Sequence, residues 1–141
     1  MPTLDDVAAI AEALPEVTVG ERFGNRTWFV GKKGFVWERP FTTADIRRFG
    51  DDPVPDGPIA ATRVDDLAEK EAVLAAGGGA IFTIPHFDGY AAVLIQLRRV
   101  TAEALTDAIV DGWLAVAPPK LAALHADRLV RNDRQQQGGD T

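Results

Sequence analysis

The sequence predicts an α+β fold, a mainly antiparallel sheet of about five strands backed by helices, and three observations carry that prediction. Runs of aromatic and β-branched residues follow one another across tight, glycine-containing turns, as in Arg26–Val30 and Phe35–Arg39 around Gly31-Lys32-Lys33-Gly34. Apolar residues at three- and four-residue spacing, such as Leu105, Ile109, Trp113 and Val116, mark separate helical segments. These segments do not alternate regularly with single strands, which argues against a doubly wound fold. At 141 residues the chain suits one domain, placed over residues 1–130.

Taken in order, Thr3 and Asp6 stand at capping-box spacing ahead of Val7, Ile10 and Leu14, and Pro15 stops that first helix. Val17 and Val19 open the strand-like region, which the hairpin then continues. If one parity faces the core, Phe29 with Val36 or Trp37 points inward and Trp28 lies on the outer face beside Arg26, although register is not fixed by sequence. Thr42 or Thr43 can cap a short helix through Ile46 and Phe49. Gly50–Pro58, with three prolines and three acids, forbids a regular element and reads as a mobile surface excursion.

Ile59–Val64 resumes the sheet, and Asp66 caps a helix with Leu67, Val73 and Leu74 inward and an Asp66–Lys70 pair on its surface. Gly77-Gly78-Gly79 ends it. Ala80–Ile84 and Ala92–Leu97 are apolar runs expected as neighbouring strands at the sheet centre. Thr101 caps the helix of Leu105, Ile109, Trp113 and Val116; Pro118-Pro119 ends it and begins another carrying Leu121 and Leu124. From Arg131 the composition turns to Asn, Asp, Arg, Gln and Gly, and 131–141 is expected to be a disordered tail.

Composition narrows the function classes. The chain has no cysteine and two histidines, so thiol chemistry, disulfides and a multi-histidine metal site are excluded, and the absence of serine removes a Ser-His-Asp triad. No apolar run reaches membrane-span length, and Asp5 and Asp6 stand where a signal peptide would be basic, so a cytoplasmic protein without membrane contact is expected. The net charge of −6 is unevenly spread: Arg22–Arg48 holds seven basic residues against Glu38 and Asp45, +5, leaving −11 for the remainder.

Two surfaces are candidates. Arg22, Arg26, Trp28, Lys32, Lys33 and Arg39, with Trp37, combine cations for phosphates with flat rings for bases, the ingredients of a nucleic-acid surface. The plainer alternative makes the tryptophans core and Lys32-Lys33 a solvated tip. The second candidate is Pro85-His86-Phe87-Asp88-Gly89-Tyr90, which packs an imidazole, two aromatic rings and a carboxylate into one connection. His86 and Tyr90 either bind a small anionic or aromatic ligand or simply hydrogen-bond the turn closed. Gly77-Gly78-Gly79 follows a helix and precedes a strand, the reverse of a phosphate loop, and Asp51-Asp52 and Asp65-Asp66 could bind a divalent cation weakly but read more simply as capping acids.

Several stretches together give a likeness: Ala13-Leu14-Pro15-Glu16-Val17, Gly20-Glu21-Arg22-Phe23-Gly24, Phe29-Val30-Gly31-Lys32, the Pro85–Tyr90 turn, and Trp113–Lys120. In order and spacing, from about Leu4 to Leu124, they resemble the MmcQ/YjbR family. The resemblance implies a CyaY-like, frataxin-like domain in which a small twisted antiparallel sheet is backed by helices, and it implies DNA binding. It also allows a ligand pocket formed by the His86 turn, the Arg22-Phe23-Gly24 segment and Lys120. The expected function is thus a non-enzymatic, monomeric nucleic-acid-binding protein without cofactor or metal, its partner DNA or another polyanion. The alternatives are a small-ligand-binding or regulatory domain using Arg22, His86, Tyr90 and Lys120, and a protein-interaction module.

Overall fold

Strand-forming residues fall in six short segments: β1 Val17–Arg22, β2 Asn25–Val30, β3 Lys33–Glu38, β4 Ile59–Arg63, β5 Ile81–Phe82 and β6 Ala92–Gln96. In the computed structural model, which describes residues 1–125, they make one sheet in the order β1-β2-β3-β4-β6-β5, antiparallel throughout. The helices are α1 Leu4–Glu12, α2 Thr43–Arg48, α3 Leu67–Ala76 and α4 Ala102–Val116, and residues 119–125 are also helical. The tail expected over 131–141 lies outside the described residues. No helix among them is long and apolar enough to cross a membrane.

Turn chemistry sets the first two hairpins. Phe23 (φ 54°) and Gly24 (φ 77°) both take left-handed backbone between β1 and β2, the geometry whose twist matches paired strands. Between β2 and β3 the loop is two residues, Gly31-Lys32, rather than the four expected, because Lys33 already pairs with Val30. Gly34 is a buried strand residue instead of a loop glycine.

The expected parity is reversed on β2, whereas on β3 Val36, one of the two residues expected inward, does face the core. The pairing shifts between Trp28↔Val36 and Phe29↔Gly34, so Phe35 is an extra residue on β3 and the phase changes there. Trp28, Phe35 and Val36 are all fully buried in the helix-side core, and Trp28 does not lie on an outer face. Phe29 and Trp37 belong to the opposite face.

Helices α1 and α4 cover one side of the sheet. Their Val7, Ala11, Leu105, Ile109 and Trp113 are fully buried against Trp28, Val36, Val93 and Ile95, each large apolar side chain contributing about 1.5–3 kcal/mol on burial. Contact is close because Gly112 lacks a side chain. A Cβ there would overlap the Thr62 hydroxyl, which donates to the Phe35 carbonyl at 3.1 Å. Trp113 Nε1 donates to the Pro15 carbonyl at 3.1 Å and ties α4 to the end of α1. The expected Thr3–Asp6 capping box forms, Thr42 rather than Thr43 caps α2 and makes a second box with Asp45, and Asp66 and Thr101 cap α3 and α4.

The other side of the sheet is half covered. Helix α2 and a 3₁₀ turn over Pro85–Phe87 enclose a second cluster of Ile59, Ala61, Ile84, Phe87, Ala92 and Leu94, with Trp37, Phe41, Phe49 and Phe82 at its margin. The β5–β6 pair is not central: β5 is the sheet edge and only two residues long, since the chain leaves it for the proline that opens the 3₁₀ turn. Gly50–Pro58 contains no helix or strand, as its prolines require. Its Asp56 is nonetheless held, accepting from Gln96 Nε2 at 3.0 Å and from Arg98 Nη1 at 2.8 Å.

Along α3 the expected inward Leu67 is half exposed, while Lys70 is buried and does not pair with Asp66. After Pro118, Leu121 packs on the core and Leu124 stays exposed.

Candidate functional site

The uncovered half of the second sheet face forms a cleft of ≈ 520 Å³ between β1–β3 on one side and the chain around α2 and the 3₁₀ turn on the other. Sequence accounts for the space. Gly34 leaves the floor open; a Cβ there would press the Thr27 methyl at 3.0 Å. Thr27 itself is turned to the Asn25 carbonyl, to which its hydroxyl donates at 3.0 Å.

The back wall is aromatic. Trp37 lies with Phe87 at 6.5 Å and Tyr90 at 6.4 Å between ring centroids, and Phe87 and Tyr90 stack at 5.5 Å. Such offset and tilted geometries satisfy the ring quadrupoles. The turn that carries Phe87 and Tyr90 is fixed from beneath, where Lys70 Nζ donates to the Phe87 carbonyl at 2.7 Å and the Tyr90 carbonyl at 2.9 Å. Burial holds the Lys70 ammonium below its ordinary pKa, partly opposed by the charge of Asp88.

Cations rim the cleft. Arg22 Nη2 donates to the Lys32 carbonyl at 2.9 Å while its guanidinium lies 5.0 Å from the Phe29 ring centroid. Arg39, 5.6 Å from the Phe87 centroid, donates to Asp45 at 2.9 Å. Burial alone would raise the Asp45 pKa, but the Thr42 amide at 2.9 Å and the Arg39 guanidinium outweigh it and leave it lowered. His86 completes the rim, and Phe23 stands at the mouth. Among the described residues no carboxylate lines the cleft.

Of the residues singled out for ligand binding, the fold brings Arg22, His86 and Tyr90 together here. Lys120 is not with them: it lies exposed in the helical stretch over 119–125, and the β1–β2 turn and the His86 turn close the site without it. Of those singled out for nucleic acid, Trp28 cannot offer a stacking face, being fully buried beneath Arg26, which sits 4.9 Å from its ring and pairs with Glu38 at 2.9 Å. Arg39 lines the cleft instead of an outer hairpin surface, and Lys32 and Lys33 are exposed at the hairpin tip. The two acids of the basic segment, Glu38 and Asp45, therefore take Arg26, Arg39 and, at 3.8 Å, Arg48.

Sequence reasoning missed Phe41 and Thr42 as cleft residues and Lys70 as the support of the turn. The Thr42 cap was a readable signal for the first two. Nothing in the sequence marks Lys70, because a lysine four residues after an aspartate reads as a surface pair.

No family model matches the chain. It is 41% identical over 124 residues to the uncharacterized proteins Rv2570 of Mycobacterium tuberculosis and Mb2600 of Mycobacterium bovis, covering 86% of this chain and 93% of each of those. Its fold is similar to the crystal structure of Deinococcus radiodurans protein DR2400, a DUF419 domain, with a TM-score of 0.59 and 21% identity over 85% of this chain and 82% of that one.

Proposed function

Since the chain belongs to one family with the mycobacterial proteins Rv2570 and Mb2600, we propose a function from its cleft: a non-enzymatic domain that binds a small anionic molecule with an apolar body. We also place the family within MmcQ/YjbR, the family of DUF419, on the strength of the fold likeness and the ordered motifs.

One observation carries the functional reading. On a molecule of net charge −6, the ≈ 520 Å³ cleft is lined by Arg22, Arg39 and His86, four aromatic rings of its walls and, among the described residues, no acid. Arg39 is already engaged by Asp45, which leaves Arg22 and His86 to meet a guest's charge while Trp37, Phe41, Phe87 and Tyr90 meet its body. No carboxylate among the lining residues stands beside His86 to share acid–base work, which favours binding over turnover.

The test is a thermal-shift screen of aromatic carboxylates and nucleoside monophosphates. A ligand at about 100 times its Kd should stabilise the fold by about 2.7 kcal/mol. The shift is expected to vanish in Arg22→Ala and His86→Ala and to persist in Lys120→Ala; no shift with any compound rejects the reading.

A second reading, contact with DNA or another polyanion, is favoured by Lys32 and Lys33, which are exposed beside Arg22 and form no salt bridge among the described residues. Three such cations give a binding constant that falls about 40-fold between 50 and 200 mM salt. Lys32→Glu/Lys33→Glu should abolish binding of a labelled strand, and binding unaffected by that change removes the hairpin from consideration.

A further inference from the structure

Phe23 is held in a backbone conformation that its side chain disfavours, for a ring that the fold does not use. Its φ of 54° lies in the left-handed region, which a residue with a Cβ enters at a cost. In a two-residue hairpin turn of this kind Asn, Asp or Gly takes that position as a rule. The ring is 97% exposed, so it adds no core contact to offset the strain.

Glu16, the other non-glycine residue with positive φ, makes a useful contrast. Its exposed side chain is polar, and its turn is tied down by the Trp113 bond to the adjacent Pro15 carbonyl. At Phe23 water meets an entire phenyl ring.

Phe23 nonetheless lines the cleft, directly after Arg22 in the chain and in one lining with Trp37, Phe87 and Tyr90. Strain retained at a site that contributes nothing to packing points to use by a guest. We propose that Phe23 is a specificity-determining lid: it stacks on one face of a flat aromatic ring whose anionic substituent meets Arg22, so the ligand class is an aromatic anion rather than any small anion of similar size. This rests on the cleft being a ligand site.

The experiment compares 2-naphthoate with decahydro-2-naphthoate, equal in charge and carbon count but only one of them flat and aromatic, by titration of the full chain. The native protein should bind 2-naphthoate about tenfold more tightly. Phe23→Asn, a residue that accepts left-handed backbone, should lose that tenfold and bind the two compounds alike, while raising Tm by about 3 °C. Phe23→Trp should retain the preference. Unchanged 2-naphthoate affinity in Phe23→Asn overturns the lid and leaves the cleft reading standing. A native protein that binds neither compound overturns both.

Discussion

The two faces of the sheet are built from the same strands, yet one is sealed and the other is a site. On the first, α1 and the 15-residue α4 run over the sheet, and Trp28, Trp113, Leu105 and Ile109 are fully buried. On the second, the six-residue α2 and a three-residue 3₁₀ turn cover Ile59, Ala61 and Leu94 but leave Gly34, Thr27 and the edge of Trp37 to the cleft. Cover length decides the outcome. Side chains alternate across a strand, so each face receives its own apolar set, and whichever set lacks a long partner must end in an opening.

The comparison is sharpest where two tryptophans are exchanged between faces. Trp28→Ala should cost about 3–5 kcal/mol in urea unfolding, the largest effect expected, because it empties the sealed core. Trp37→Ala, half-buried beside the cleft, should cost clearly less and instead abolish ligand binding. Equal destabilisation by the two would break the distinction between the faces.

A smaller effect follows at the cleft's support. Lys70→Met keeps the apolar stem but removes the ammonium that bridges the Phe87 and Tyr90 carbonyls, which keep only the Tyr90 and Ala92 amides, and should cost about 0.5–1.5 kcal/mol together with ligand affinity. Full stability and affinity in this variant would show that the turn stands by itself.

The smallest effect is a dependence on pH. Asp45 has a lowered folded-state pKa, so its contribution is present above the ordinary value of 3.8 and is lost as pH falls through the folded value. Because Asp45 ties Arg39 and the start of α2, acid should loosen the cleft before the helix-covered face. Near-ultraviolet dichroism and ligand binding recorded down the pH scale should show this acid step in the native protein and not in Asp45→Asn. Identical acid profiles for the two would remove Asp45 as its cause.

Local patterns made much of this architecture legible. The stripe of Leu105, Ile109, Trp113 and Val116, the capping box at Thr3, the cap near Thr42 and the proline-rich gap before Ile59 each depend on residues within one or two turns of one another. Part of the site was legible for the same reason, since His86 and Tyr90 share one six-residue connection. Arg22 stood out by charge, but only the family likeness joined it to the His86 turn.

What only the tertiary structure decided is a matter of phase and distance. One extra residue, Phe35, reverses which rings of the β2–β3 hairpin meet the helices, and no composition rule locates such a bulge. Pairing of Arg26 with Glu38 and of Arg39 with Asp45 turns a segment of +5 into scattered free cations, which a count of charges along the chain cannot foresee. Lys120 and Lys70 exchange expectations likewise, one left in solvent and the other buried under the cleft. Sequence fixes how each segment curls and which stripe is apolar; burial and charge neutralisation arise between segments, and those exist only once the chain has closed on itself.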